Sequence, residues 1–164
     1  RTMQTTYSYN RVAGVEGAVA QGYPSAIVTG WVDETDGIKP GRFVRGTGTD
    51  GDVELPDATG EVTAVGSLRG VSVLDFGREA LPNGVYADNE PLPILRKGRV
   101  FMVAEDAVTA DTPVFVRFSV SGSEELGRVR SDADGTDAVA APGCSFVTST
   151  TGNDELCVVE VNLA

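Results

Sequence analysis

Three basic residues stand close together in the middle of the chain and could contact phosphate or an acidic protein face. They are Arg96, Lys97 and Arg99, in the segment ILRKGRVFMVAEDAVTADTPVFVRF at positions 94–118. Side chains alternate along a strand, so Lys97 and Arg99 would share one face and Arg96 would point to the other. The same charges would also suit an edge strand that must not pair with another sheet. No glycine-rich stretch ends in Gly-Lys-Ser/Thr, so a phosphate-binding loop is not supported.

Two acidic, glycine-containing loops carry the oxygen ligands that calcium prefers. Their carboxylates belong to Asp50, Asp52, Glu54 and Asp57 in TGTDGDVELPD, and to Asp132, Asp134 and Asp137 in SDADGTD. Neither loop has the residue order of an EF-hand, in which glycine comes sixth and glutamate twelfth. Ordinary Asp-Gly turns are the favoured interpretation. We therefore predict no metal and no cofactor.

The chain has no histidine, which excludes nucleophilic catalysis by a Ser-His or Cys-His pair. A carboxylate pair is formally available, but a glycosidase also needs a cleft, usually lined by aromatic side chains. One tryptophan and scattered tyrosines offer little to build such a cleft. Acidic residues cluster in turns, where aspartate hydrogen-bonds its own backbone. We predict that the protein is not an enzyme and has no catalytic residues.

The two cysteines, Cys144 and Cys157, are expected to be buried thiols rather than a disulfide. A turn at STTGND would bring their strands together, but the hairpin register would place Cys157 nearer Ser145 to Val147 than Cys144. Free cysteine packs as a small hydrophobic residue. Two cysteines without histidine also cannot build a closed zinc site.

The formal net charge of −11 opposes nucleic-acid binding over the whole surface, because most affinity for phosphates is electrostatic. No apolar run approaches the ~20 residues that a membrane-spanning helix needs. We therefore predict neither a direct nucleic-acid partner nor a membrane partner.

Turn pairs such as Asp50-Gly51, Asn83-Gly84 and Gly152-Asn153 recur along the chain and indicate short strands. We predict an all-β protein, a compact β-barrel or β-sandwich of roughly nine to eleven short strands. Residues 1–22 are polar and irregular, which predicts an extended N-terminal arm. A single barrel or sandwich domain would then occupy residues 23–164.

Two segments predict which side chains are buried. In SAIVTGWVDE, Ile27 and Trp31 lie on one face and Val28 on the other, which predicts a strand buried on both sides. In TPVFVRFSV, Val114 and Val116 share one face and Phe115 and Arg117 share the other, which is the alternation of a half-buried strand.

Three further segments predict local structure. GEVTAVGSLRGVSVLDF reads as two β-rich runs joined around Gly66 to Gly70. Pro91 and Pro93 confine their segment to an edge strand or an extended connection, because proline cannot donate to a ladder. EDAVTADTP reads as a turn between two core strands, with room for a single helical turn.

Taken together and in order, four segments of the chain resemble the structural cement, or head decoration, proteins of tailed bacteriophages. The first is TTYSYN (residues 5–10), and the second has a Gly-x-Phe-Val-Arg-Gly strand before a Leu-Pro step. The third and fourth are LRKGRVFMVAEDAVTADTPVFVRF and the closing CVVEVNLA. The matching positions are Gly41, Phe43, Val44, Arg45, Gly46, Leu55, Pro56, Gly98, Arg99, Val103, Ala107, Val108, Asp111, Pro113, Val114, Phe115, Val116, Val159, Glu160, Val161, Asn162 and Leu163. One departure is Ala110, where we would expect glycine before Asp111.

The resemblance implies a non-enzymatic protein on the outer surface of the virion, assembled in the cytoplasm of the bacterial host. It would bind the expanded head, bridge neighbouring subunits of the major capsid protein and resist the pressure of packaged DNA. It implies a homo-oligomer, with a trimer favoured over a dimer. Candidate contacts to the capsid or to a neighbouring protomer are Tyr7, Tyr9 and Arg11 in the arm and Arg96, Lys97 and Arg99 in the body.

A glycan- or receptor-binding β-sandwich, of the adhesin type, is the alternative interpretation. Trp31 and Tyr86 would then stack on sugars. Trp31 could equally be a core aromatic residue, because its neighbours Ile27, Val28 and Val32 are typical of strand cores. A hydrolase with an acidic surface is a third and weaker alternative.

Overall fold

The computed structural model describes residues 14–20, 22–64, 66–77, 81–120 and 122–163. Within these residues the protein is all-β, as predicted, with one five-residue α-helix and one 3-10 turn. The strands are β1 (Ala26–Val32), β2 (Phe43–Gly46), β3 (Asp52–Glu54), β4 (Leu68–Ser72), β5 (Pro91–Ala104), β6 (Pro113–Arg117), β7 (Val129–Arg130), β8 (Ala138–Phe146) and β9 (Glu155–Asn162). The helix α1 is Thr59–Thr63, and the 3-10 turn is Pro82–Gly84.

The nine strands form one continuous sheet that closes on itself twice, with β5 shared by both closures. The first circuit runs β1-β3-β2-β4-β5 and closes because β5 pairs with β1. The second runs β5-β7-β6-β8-β9 and closes because β9 pairs with β5 from Lys97 to Ala104. The predicted barrel is thus confirmed as a closed five-stranded barrel; both circuits have five strands, and they share one 14-residue strand.

The sheet packs around two hydrophobic cores, and the larger one also includes Phe43 of β2 and Leu68 and Val71 of β4. Leu92 and Ile94 of β5 enter the smaller core, which also contains the buried Tyr86. Val100 and Met102 of β5 enter the larger core. From Gly98 to Ala104, buried residues alternate with partly exposed ones, which is the pattern of a strand with one face inside a barrel.

The expectation that the first strand is buried on both sides was wrong. Ile27, Val28 and Trp31 are 49%, 41% and 50% exposed, while Gly30 and Val32 point into the smaller core. β3 pairs with β1 only at Trp31 and Val32, so residues 26–30 extend beyond the end of β3. In β1, hydrophobic side chains on both faces of the strand therefore do not mean that the protein buries both faces.

The alternation predicted for β6 holds for Val114 and Val116, which are buried, but Arg117 on the opposite face is buried too, at 1% exposed. The two strands of segment 94–118 are not neighbours: β7 lies between β5 and β6 in the sheet. The connection between them contains turns and no helix. Its left-handed residue is Asp111, at φ 63°, so no glycine is needed at Ala110.

The segment that was predicted as two β-rich runs divides differently. Its first part forms α1, whose Glu61 carboxylate accepts hydrogen bonds from the backbone N–H groups of Asp57 (2.7 Å) and Ala58 (3.1 Å). Its second part forms β4. Pro91 and Pro93 lie at the start of the shared strand β5, a position that tolerates proline.

The cysteines are both buried and unpaired with each other, as predicted. Cys144 of β8 is opposite Val161, and Cys157 of β9 is opposite Met102. The two positions on β9 are four residues apart, which leaves the thiols in different parts of the larger core.

Candidate functional site

Lys97 and Arg99 line one shallow pocket of about 220 Å³ together with Tyr23, Pro24 and Glu160. The Arg99 Nε donates to Glu160 Oε2 at 2.7 Å, and its guanidinium stacks 3.6 Å from the centre of the Tyr23 ring. Arg99 and Glu160 are directly opposite each other on β5 and β9. Arg99 is therefore held by its own chain, whereas Lys97 is exposed.

Arg96 lies on the other side of β5, as the alternation of strand side chains requires. It lines a separate pocket of about 200 Å³ between α1 and the ends of β8 and β9, with Val62, Pro142 and Leu163 among its neighbours. The basic segment thus offers two differently placed cations, Lys97 and Arg96, rather than one patch of three.

The described end of the predicted arm, residues 14–20, lies against β5. The N–H of Gly17 donates to the Phe101 carbonyl at 2.8 Å, and the N–H of Ala20 donates to the Arg99 carbonyl at 2.8 Å. The N–H of Phe101 in turn donates to the Ala18 carbonyl at 2.9 Å. The candidate contacts Tyr7, Tyr9 and Arg11 lie outside the described residues.

Arginine side chains form ion pairs with part of each acidic loop. Glu54 is ion-paired to Arg45. Asp132 and Asp134 bind Arg130 at 2.8 and 2.7 Å. In the part of the chain that the structure describes, no group of three or more acidic or cysteine side chains is arranged to hold a metal ion.

Two charged clusters that the sequence did not predict tie distant segments together. Arg117, at the end of β6, binds Glu105 and Asp134, and its hydrogen bond lowers the pKa of Asp134. Arg42, which is almost completely buried, pairs with Glu16 of the arm segment and with Glu125. In the sequence, the position of Arg117 within a hydrophobic strand was a sign that this residue has a structural role. That position does not show which acidic residues pair with it.

Four of the seven exposed large hydrophobic residues in the described ranges lie in β1 or just before it. The outer face of β1 presents Ile27 and Trp31, with Tyr23 just before the strand at 49% exposed. We call Tyr23, Ile27, Val28, Thr29 and Trp31 the β1 surface. Beside it is a shallow groove of about 350 Å³, lined by Thr29, Asp75, Tyr86, Pro91 and Pro93.

Tyr86 contributes to this groove from within the smaller core, since it is only 1% exposed. Its hydroxyl donates to the Val73 carbonyl at 2.9 Å and accepts from the N–H of Asp75 at 3.1 Å. Its ring therefore cannot stack on a sugar, whereas Trp31 is accessible.

The sequence matches the profile of the structural cement protein family (E217 gp24/Pam3 gp6) over residues 3–162. The chain belongs to this family. The resemblance to phage structural cement proteins is thereby confirmed, and the role of this cement protein is a structural one in the phage capsid. No helix among its described residues is long and apolar enough to cross a bilayer.

Two further comparisons concern this cement protein. No curated protein sequence matches it. Among solved structures, it is similar to a chain from "The capsid of Myoviridae Phage XM1", with a TM-score of 0.67 and 21% sequence identity. The similarity covers 95% of this chain and 97% of that chain, so the two share the whole fold.

Proposed function

We propose that this cement protein binds the outer surface of the assembled, expanded phage head. It contacts neighbouring subunits of the major capsid protein and stabilises the shell against the pressure of packaged DNA. The observation that carries the proposal is the family match over residues 3–162. The work is done by contact surfaces and not by catalysis, and the protein needs no cofactor.

The architecture is suited to resisting mechanical force. Closing a sheet into a barrel pairs strands on both sides and removes most free edges. Here β5 belongs to both circuits, so a force on one is transmitted to the other through continuous backbone hydrogen bonds. A body of this kind is suited to hold two capsid subunits at a fixed separation.

Lys97 and Arg96 are the proposed contacts to acidic groups of the capsid. Lys97 is exposed, and Arg96 is partly exposed beside α1. Arg99 positions Tyr23 and Glu160 and contributes less directly, because Glu160 already neutralises it. Because many copies bind one shell, the overall avidity exceeds the affinity of each single contact, so individually weak contacts suffice.

The test is co-sedimentation of the purified protein with expanded heads and with unexpanded shells. We expect binding to expanded heads, little binding to unexpanded shells, and weaker binding by Lys97→Gln. Lys39→Gln removes the same charge from an exposed residue paired with Glu125 and serves as the matched control. Equal binding of both variants and the wild type would remove Lys97 from the proposal, and absence of binding to heads would overturn the function.

The arm residues Tyr7, Tyr9 and Arg11 are proposed contacts to the capsid or to a neighbouring protomer. Aromatic residues and arginine dominate the energetics of protein interfaces. A homo-oligomer, a trimer before a dimer, would place several arms around one local symmetry axis. Deleting residues 1–12 should lower affinity for heads while the circular dichroism spectrum of the β-body stays unchanged.

The accessibility of Trp31 favours a second candidate, glycan binding at the β1 surface. A glycan array with wild type and Trp31→Ala separates the two candidates. Hits that disappear in Trp31→Ala would support glycan binding. An array without hits, together with head binding that Trp31→Ala retains, would leave the capsid role alone.

A further inference from the structure

β1 leaves one edge of residues 26–30 without a partner strand in the described ranges. On one side, these residues pair with β5, from Ala26 opposite Lys97 to Gly30 opposite Leu92. On the other side, β3 begins only at Asp52, opposite Trp31. Residues 26–29 are exposed.

The backbone groups on that free side can be assigned from the hydrogen bonds of neighbouring residues. The N–H of Val32 donates to Glu90 on the β5 side, and the N–H of Trp31 donates to Gly51 on the β3 side. Alternation along the strand therefore directs the N–H and C=O groups of Ile27 and Thr29 to the free side. No described backbone group bonds to them there.

Nothing in the strand protects this edge. Native proteins guard free edges with lysine, proline or inward-pointing charge. Residues 26–30 read Ala-Ile-Val-Thr-Gly and contain none of these. An unguarded edge with exposed apolar side chains is the surface to which an extended segment adds as a further strand.

The chemistry around the edge defines the segment that fits. The groove of about 350 Å³, bordered by Pro91 and Pro93 and also lined by Asp75, lies on the β5 side of Thr29, across β1 from the free edge. At the free edge itself, Ile27 and Trp31 are exposed, which favours aromatic side chains on an added strand. Asp50, exposed in the turn before β3, lies near the end of the free edge and favours a basic residue. The matching segment is extended, aromatic, basic and free of acidic residues.

We propose that the N-terminal segment of a second copy of this chain, residues 1–13, adds as a strand to the β1 edge. This segment contains Arg1 and Arg11 and no acidic residue, so all 24 acidic residues of the chain lie in the remainder. Threonine and tyrosine, which favour strands, fill most of its middle at TTYSY. Tyr7 and Tyr9 share a face of the added strand, as Ile27 and Thr29 do in β1.

The reach of the arm favours a second copy as the donor. Gly14 lies against the Phe101 ring, since a Cβ added to Gly14 would be 2.5 Å from Phe101 Cδ2. Thr29 is opposite Pro93, which is eight residues, or about 26 Å of strand, from Phe101. Tyr9 is five residues before Gly14, so it extends at most about 18 Å from there. Within one chain, Tyr9 could therefore meet only the near end of the edge, at Ala26 opposite Lys97, whereas a second copy can place the arm along its whole length.

The association is measured on the full-length protein alone, by light scattering after size-exclusion chromatography over a range of concentrations. Ile27→Lys places a cation on the edge and should raise the dissociation constant of self-association by about tenfold or more. The matched control is Val120→Lys, the same kind of change at a side chain that is 47% exposed, against 49% for Ile27. Wild-type protein that is monomeric at all concentrations would overturn the proposal, as would equal association of Ile27→Lys and wild type.

Cross-linking between two single-cysteine variants identifies the donor and acceptor. Ser8→Cys and Val28→Cys proteins are mixed and treated with a short bismaleimide, while the native cysteines stay protected by burial. We expect a covalent heterodimer that is absent when Ser8→Cys is mixed with Val120→Cys. A double variant that carries both Ser8→Cys and Val28→Cys tests binding within one chain. If this double variant cross-links only within one chain and the mixed single variants form no heterodimer, the arm binds its own edge and the proposal of a second copy is wrong.

Because these measurements use no capsid, they can refute the proposed strand addition without refuting the proposed capsid role. If Ile27→Lys associates normally but no longer sediments with heads, the edge receives a strand of the shell protein, and self-association through it is excluded. If the heterodimer forms but heads are not bound, the proposed capsid role fails while this inference stands.

Discussion

Arg117 donates from Nε to both carboxylate oxygens of Glu105, each at 2.8 Å, although the two side chains are only 1% and 9% exposed. Glu105 directly follows β5, and Arg117 is the last residue of β6. Asp134 accepts from Arg117 Nη2 at 2.6 Å and also binds Arg130 at 2.7 Å. The cluster therefore ties the end of the shared strand to β6 and to the loop before β8.

Breaking this pair should be costly, because one buried charge would lose its partner. We expect Arg117→Met to lower the free energy of unfolding by about 3 kcal/mol. Arg117→Met/Glu105→Gln should lose less than the sum of the two single variants, because it leaves no uncompensated carboxylate. Urea denaturation followed by circular dichroism measures both. The exposed pair of Lys39 and Glu125 offers the control, since Lys39→Gln should cost at most about 1 kcal/mol.

The pH dependence of stability should carry the signature of Glu125. Burial opposes its ionisation, but hydrogen bonds from Lys39 and Arg42 outweigh burial and lower its pKa from 4.5 to about 2. The contribution of the ionised carboxylate is thus fully present above pH 4.5 and is lost as pH falls through about 2. The difference in unfolding free energy between wild type and Glu125→Gln should be constant above pH 5 and vanish near pH 2. A difference that does not change with pH would contradict this ion-pair assignment.

Two glycines should respond oppositely to the same substitution. A Cβ at Gly70, where φ is 147°, would lie 2.2 Å from the Leu95 carbonyl oxygen, in the contact between β4 and β5. Gly70→Ala should therefore lower the free energy of unfolding by about 2 kcal/mol or more. Gly60 lies in α1 with no atom within 4 Å of an added Cβ, so Gly60→Ala should raise it by about 0.5 kcal/mol. Thermal denaturation of the two variants beside the wild type provides the comparison.

The thiols should be inert in the folded protein. Burial raises the pKa of Cys144 to about 11 and that of Cys157 to about 12. At pH 8 only about one thousandth of Cys144 is thiolate, which is the reactive form. A disulfide reagent such as DTNB should therefore label neither cysteine until guanidinium unfolds the chain, when it should label both. Fast labelling of the native wild type, comparable to that of the exposed Val28→Cys thiol, would show that the larger core opens.

The sequence predicted those features of the candidate surfaces that depend only on the alternation of side chains along a strand. Placing Lys97 and Arg99 together and Arg96 apart requires only that β5 be a strand. The partners of Arg99 were not predictable, because Glu160 is 61 residues away in sequence and is brought opposite by the pairing of β5 with β9. The β1 edge was missed for a similar reason: its apolar residues match a buried strand, and only the short length of β3 leaves them uncovered.

The sequence by itself determined the all-β class, the number of strands within a narrow range, the thiols and the family. Each of these depends on residue types and on periodicity along a few neighbouring positions. The tertiary structure decided that β5 serves two barrels, that Arg117 is buried and that Trp31 is exposed. A strand directs alternate side chains to opposite faces by its own geometry, but which face is covered depends on distant segments. The backbone partners of a strand are likewise set by the packing of the whole chain.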